Sequence, residues 1–479
     1  MSMGRAFATK HLAYAASLFF ERSLAFLLLP LYTRVLAPAE YGAYAVLMLF
    51  VSLATFVVGL GLENGLLRFS SDGGDGPAVA GTAWTGMWTS AAVCSLAVWV
   101  SAPHVSRLLF FDPAHGTWIR LSAVLLFLDT GSRFVFYRLL GLERARAYFG
   151  LAVFRGTVTL AANGLWVGLR GAGVEGILWA HIAAAAAVLA CAAFLRELRF
   201  PRTFQKDVFR RLLRFGAPVM AASLLLTLLN ALDRYLLCVL ASAEEAGLYT
   251  VAYRIGFVMA MAATAFHMVA VPAVARAEQH GTDVDRMLAR LTDFLFGINA
   301  GLALGIGLFL PELVRIRLFG VALIDPAYAA ALPVVPWILL GYWCYGFSVN
   351  FGLVLYQSEK TGLLTMATGL AVAVNVGSNV FLIPRFGMFG AAVSTAVAYA
   401  FLGLFLYLVT SRLRPDVPYR WIRMAAVGTA AVLAYAGFSK AGSASHAWTL
   451  RAAVFAGFAL GAFAVLRWDE PGKKRKPTP

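Results

Sequence analysis

Apolar runs of about twenty residues recur from one end of this 479-residue chain to the other, and fourteen can be read between positions 10 and 466, separated by short polar stretches. As a helix rising about 1.5 Å per residue, each run matches the hydrocarbon thickness of a bilayer. There is no water in that layer to satisfy backbone N–H and C=O groups, so each run must close its hydrogen bonds internally. The sequence therefore predicts an all-α fold, a polytopic membrane protein with about 14 transmembrane helices. Composition agrees: 61% of residues are hydrophobic, 13% are charged, and mean hydropathy is +0.76. A soluble globular enzyme is excluded on those values.

A formal net charge of +16 raises the question of a nucleic-acid partner. Placement answers it. With the N-terminus inside, most of the 40 Lys and Arg residues fall on inner segments, the pattern of the positive-inside rule. Both termini are then expected in the cytoplasm. The densest basic stretch, "RELRFPRTFQKDVFRRLLR" from Arg196 to Arg214, becomes an inner linker facing anionic headgroups. No nucleic acid is required. The first apolar run contains Glu21 and Arg22 and has no small-residue cleavage site, so it is expected to stay as a helix rather than act as a removable signal. Cys94, Cys191, Cys238 and Cys344 fall in separate predicted spans, which suggests packing residues rather than disulfides or a metal site.

The chain also resembles itself. "VLAPAEYGAYAV" from Val35 returns as "VLASAEEAGLYTV" from Val239, and "GVEGILWAHIAAA" from Gly173 returns as "GMFGAAVSTAVAY" from Gly387. Two matches in the same order, at nearly the same offset, indicate a duplicated six-helix unit of the kind transporters use. The expected division is an N-terminal six-helix lobe at 1–195, a basic cytoplasmic linker at 196–212, a C-terminal six-helix lobe at 213–411, two additional transmembrane helices at 412–466 and a basic cytoplasmic tail at 467–479. Because six is even, the lobes are parallel repeats, with substrate expected between them.

"GAGVEG" from Gly171 matches a dinucleotide fingerprint, but the strand and βαβ context that the fingerprint needs are missing. Its repeat-mate "GMFG" marks both as the start of a helix where backbones approach closely. Charges inside the spans are more informative, since a charge at the bilayer centre costs about 2.5–3.5 kcal/mol on insertion scales and normally faces a protein or aqueous interior. On the seventh span Asn230, Asp233 and Arg234 share one arc of the helix. Asp129 and Arg133 are spaced as an i,i+4 pair and are read as a structural ion pair. Arg22 beside Glu21, Arg155 and Arg254 complete the set, although Arg254 is also placed to snorkel toward the outer headgroups. Five arginines against Glu21, Asp129 and Asp233 give the interior a positive excess, which favours an anionic passenger. Asn350, and Asn375 with Asn379, are read as hydrogen bonds between helices. His181 and His267 are read as structural. No catalytic triad and no metal motif is present, so neither enzyme chemistry nor a cofactor is expected.

"FLLLPLYTRVLAPAEYGAYAVLMLFVSLATFVVGLGLENGLLRF", "LLRFGAPVMAASLLLTLLNALDRYLLCVLASAEEAGLYTVAYRI" and "NVGSNVFLIPRFGMFGAAVSTAVAY" together resemble the polysaccharide biosynthesis, or oligosaccharide flippase, family of the multidrug/oligosaccharidyl-lipid/polysaccharide exporter superfamily. The resemblance runs from about residue 10 to 410 and implies two six-helix lobes in a V plus two C-terminal helices. It implies alternating access for a polyprenyl-pyrophosphate-linked glycan, passed from the cytoplasmic to the outer leaflet of a bacterial inner membrane during assembly of O-antigen, capsule or exopolysaccharide. It further implies a cationic cavity lined by the first helices of each lobe, here Arg22 and the group Asn230, Asp233 and Arg234. Arg155 and Arg254 are added from the buried charges.

Physically, arginine offers a fixed bidentate fork for phosphate, while the lipid tail stays in the bilayer. Asp233, or Glu21, is expected to act as a charge switch, with H+ or Na+ as the coupling ion. Expected partners are the lipid-linked oligosaccharide, membrane lipids and other glycan-assembly membrane proteins. A multidrug/cation antiporter of the same superfamily is the first alternative, and a membrane glycan polymerase or ligase the second.

Overall fold

The computed structural model describes residues 14–467 apart from 15, 18, 22, 25, 71–75, 196–202, 280–282, 319–320, 359 and 441–446. Arg22, the first part of the basic linker and the tail beyond 467 lie outside the described residues. Those described between 14 and 27 are almost all helical. Then follow α1 (Leu29–Val35), α2 (Pro38–Gly59), α3 (Leu62–Phe69), α4 (Gly76–Val100), α5 (Ala102–Phe110), α6 (Gly116–Gly141), α7 (Ala145–Asn163), α8 (Gly173–Ala192), α9 (Lys206–Leu240) and α10 (Ala243–Gln279). The chain continues with α11 (Val284–Arg315), α12 (Val335–Gln357), α13 (Thr361–Leu413), α14 (Trp421–Lys440) and α15 (Ala447–Arg467). A two-residue antiparallel pair, Arg317–Leu318 with Val321–Ala322, is the sole sheet among the described residues.

Ten helices among the described residues are long and apolar enough to cross a membrane. The expectation of fourteen spans differs from this for local reasons. Arg120, Asp129, Arg133 and Arg138 punctuate α6 and keep it out of that class, although it covers the expected fourth span. Helix α13 covers both the eleventh and the twelfth expected spans, as two helical halves joined across a kink. Its helical geometry fails at Gly387, where φ is 54° and ψ is −133°. Pro384 lies just before that break and supplies no N–H to the ladder. Gly173, its repeat-mate, opens α8 with φ of 53°. Both positions need a left-handed backbone that glycine adopts without strain, so the recurrence of "GVEG" and "GMFG" reflects one piece of geometry used twice.

The second repeat shows the same economy. Pro38 opens α2, and Glu40 accepts from the Ala37 N–H at 3.3 Å. At the start of α10 the Ser242 hydroxyl accepts from the Glu245 N–H at 3.1 Å. The Glu245 carboxylate in turn accepts from the Met388 N–H at 2.6 Å, holding the restart of α13 just after Gly387. The two repeat segments meet at their glycines: Gly42 faces the backbone of Ala243 and Gly247, and Gly247 faces that of Pro38 and Gly42.

Contacts gather into two compact units. The first takes in the described residues up to Arg254 together with Arg317–Leu332 and Thr368–Thr395, and the second takes in Ile255–Ile316, Pro333–Ala367 and the described residues from Ala396 onward. The division falls inside α10 and α13. In the first unit α6 packs on α4 and α8, and α9 packs on α2 and α3. Its core includes Leu62, Leu66, Met87, Phe134 and Leu212. In the second unit α11 packs on α12, α14 and α15, around Phe296, Ala300, Met424 and Val427. Large apolar side chains such as Leu169, Val100, Ile422 and Leu460 remain exposed, as helices apolar on every face require of a lipid surrounding.

Candidate functional site

The described buried charges read from the sequence all fall in the first unit. Asp233 is 1% exposed and makes the densest polar node there. One carboxylate oxygen accepts from the Arg234 N–H at 2.9 Å, and the other accepts from the Tyr249 hydroxyl at 2.6 Å and from Thr395 at 3.3 Å. These bonds join α9, α10 and α13. A carboxylate so deeply buried needs that many donors, because losing water without replacement is costly. Arg234 turns its guanidinium back along α9 to the Asn230 carbonyl at 2.8 Å and lies 4.3 Å from the centre of the Tyr253 ring. The Asn230 amide donates to the Leu226 carbonyl at 2.6 Å, along its own helix.

Arg254 is half-buried, with its guanidinium over the rings of Tyr41 at 5.4 Å and Tyr32 at 5.8 Å, and it bonds the Tyr44 side chain. Tyr32 donates to Asn163 at 2.9 Å, and the Asn163 amide donates to the Thr159 carbonyl at 2.8 Å, which carries the network from α1 to α7. Tyr41 also packs edge-on against Tyr328, whose hydroxyl donates to the Leu36 carbonyl at 2.9 Å. Two arginines on facing tyrosine surfaces make cation–π contacts that strengthen when water is excluded.

The expected Asp129–Arg133 pair is not formed. Asp129 accepts instead from Arg155 of α7 at 2.7 Å, and Arg133 donates to Glu63 of α3 at 2.8 Å. Spacing on one helix makes an i,i+4 pair possible, but side chains on the neighbouring helices reach charge-assisted distances, and these bonds tie helices together. Glu63 was missed in the sequence although it is 1% exposed. Once it is counted, the positive excess of the interior shrinks. Glu21 is half-buried, within electrostatic reach of Tyr148. His181, read as structural, lies within electrostatic reach of Arg155, Asp129 and Arg254.

The asparagines divide. Asn350 donates to Thr292 at 2.5 Å between α12 and α11, as read, whereas Asn379 donates to Asn375 at 2.9 Å along α13 itself. Among the described residues no group of three or more His, Cys, Asp or Glu side chains is placed to hold a metal. The tyrosines were legible in part, since the repeat aligns Tyr44 with Tyr249. Both contact a buried charge, Tyr44 the guanidinium of Arg254 and Tyr249 the carboxylate of Asp233.

Glu63→Gln is expected to lower stability by about 1–3 kcal/mol, because Arg133 would keep a buried environment with a weaker acceptor. Thermal unfolding of Glu63→Gln, Arg133→Gln and the double variant checks this. If the two single losses simply add, the pair does not exist.

Residues 31–320, more than half of the chain, match the family described as polysaccharide biosynthesis protein. The chain belongs to that family. No curated protein matches the sequence. Among solved structures the chain is similar to the lipid II flippase MurJ in an inward closed conformation, at 12% identity and a TM-score of 0.74, covering 94% of this chain and 98% of that one. It is also similar to a multidrug resistance MATE family transporter of the MOP superfamily in an inward-facing conformation, at 15% identity and a TM-score of 0.64, over 82% and 94% of the two chains. A third likeness is to the Vibrio cholerae MATE transporter VcmN, at 14% identity and a TM-score of 0.58, over 87% and 98%. At these identities the likeness establishes the fold: this is a multi-pass membrane protein built like flippases and transporters.

Proposed function

We propose that the protein is a flippase for a lipid-linked oligosaccharide, moving a polyprenyl-pyrophosphate-linked glycan, on an undecaprenyl or similar carrier, from the cytoplasmic to the outer leaflet of a bacterial inner membrane. Both termini are assigned to the cytoplasm on the basic bias of the inner segments. The observation that carries the reading is the way the arginines are held. Arg155 meets Asp129 through one nitrogen and keeps 28% of its side chain exposed. Arg234 and Arg254 rest on tyrosine faces in the same unit. A guanidinium has five N–H donors, and a monodentate carboxylate uses few of them. A diphosphate can therefore engage these groups by exchange, drawing each arginine from its resting acceptor while the lipid tail remains in the bilayer. Arg22 is assigned to the same task on its sequence position alone, and Asn230 contributes through its carbonyl by orienting Arg234.

The lobes at 1–195 and 213–411 would alternate access to the headgroup, and Asp233, with Glu21 as the weaker candidate, would couple that motion to H+ or Na+. Asp233 suits the role because its donors come from three helices, so a change in its charge or in its bound cation alters the joint among them.

In liposomes carrying purified protein and a fluorescent polyprenyl-pyrophosphate oligosaccharide, Arg155→Ala is expected to slow translocation by about tenfold to a hundredfold, the value of one or two charge-assisted phosphate bonds. Arg155→Lys should recover part of the rate but not the bidentate geometry. Full activity in Arg155→Ala and Arg254→Ala together would remove the proposal. The likeness to multidrug transporters and the reduced positive excess favour a second reading, extrusion of organic cations. Uptake of such a cation by the same liposomes, without movement of the lipid-linked glycan, would select it.

A further inference from the structure

A cavity of about 680 Å³ lies in the second unit between α11 and α15, with Arg420 reaching it from just before α14, well within the range of ligand sites. Phe294, Ile298, Phe458 and Leu466 make its walls apolar. Arg290, Asp293 and Arg420 supply the charge in its lining. Asp293 is 4% exposed, and neither of its carboxylate oxygens has a hydrogen-bond partner among the described residues. Arg420 stands 3.6 Å from one of them, too far for a charge-assisted hydrogen bond. Arg420 and Arg423 give Asp293 counter-charge, but a buried carboxylate without hydrogen bonds still gains from an N–H donor.

We propose that this groove binds a membrane phospholipid whose head carries both a phosphate and a primary ammonium. The ammonium donates to the two oxygens of Asp293, the phosphate rests on Arg290 and Arg420, and an acyl chain lies along the apolar walls. The charge pattern selects this chemistry over its neighbours. A purely anionic head satisfies the arginines but faces the buried carboxylate. A choline head has the right charge but no N–H to give. An organic cation would meet Asp293 at the cost of two guanidinium groups beside it. The placement is consistent as well, since Arg290 and Arg420 belong to segments assigned to the inner side, level with the headgroups of that leaflet.

Native mass spectrometry of the purified full chain, offered phosphatidylethanolamine, phosphatidylcholine, phosphatidylglycerol or a polyprenyl monophosphate in equal amounts, tests the assignment. One phosphatidylethanolamine per chain is expected to be retained about tenfold more tightly than the other lipids. Asp293→Asn should bring it down to the level of phosphatidylglycerol. Gly301 lines the groove with nothing within 4 Å of where a Cβ would stand, so Gly301→Leu fills the space without collision and should lose the lipid at an unchanged unfolding temperature. Equal retention of the ethanolamine and choline lipids, undiminished binding in Gly301→Leu, or preference for the polyprenyl phosphate would each overturn the proposal. If Asp293→Asn does not fold, the headgroup series and Gly301→Leu still decide.

Discussion

Asp233→Ala is expected to be the most damaging single substitution among the buried charges, lowering stability by about 3–5 kcal/mol and abolishing transport. The reason is the number of groups that depend on it. Tyr249 and Thr395 would lose an acceptor in a buried setting, and Arg234 would lose the nearby carboxylate while remaining mostly enclosed. Tyr249→Phe should cost less, about 1–2 kcal/mol for one short hydrogen bond to a charged acceptor, and Thr395→Val less again because its bond is 3.3 Å long. Unfolding midpoints in detergent check the order, which matters more than any one value. Thr395→Val as harmful as Asp233→Ala would show that the node is not centred on the carboxylate. Asp233→Asn separates packing from charge. It keeps the shape and an acceptor, so it should fold, while translocation stops responding to an imposed proton or sodium gradient if Asp233 is the coupling group.

Gly42→Leu and Gly247→Leu are expected to disrupt the protein for a different reason. A Cβ at either position would collide with backbone on the facing helix, the carbonyl of Ala243 in one case and that of Pro38 in the other. A flexible side chain could turn aside, but peptide groups fixed in helical turns cannot, so α2 and α10 must separate. Overpacking of this kind costs about 1–3 kcal/mol or more, and alanine at either position should already be harmful. Gly150→Ala serves as the control. Nothing lies within 4 Å of its added carbon, and alanine favours the helix, so its midpoint should hold or rise slightly. Tolerance of leucine at Gly42 with full stability would mean that the two helix starts are not in close contact.

The difference between these two cases shows what can be read from a linear sequence. Gly42 and Gly247 were visible only as parts of a repeated segment, while close approach at a helix start was read for the other repeat, at Gly173 and Gly387. The exchange of partners among Asp129, Arg133, Arg155 and Glu63 was not visible, because spacing along one helix ranks only the partners that share the helix. Arg254 was open to two readings, headgroup or interior, and its contacts with three tyrosines from two helices could not be read from spacing.

Hydrophobic length, the basic bias of alternate segments and the duplicated motifs are properties of short windows, and the bilayer acts on each window separately. They were enough to determine an all-helical membrane protein, its repeat and the residues carrying unusual charge. Which carboxylate holds which arginine, where tyrosine faces replace water, and where a buried acid is left without a donor depend on helices more than a hundred positions apart being brought to within 3 Å, as Tyr32 and Asn163 are. Only the packed chain decides that, since hydrogen bonds and ion pairs are set by distances that sequence separation does not encode.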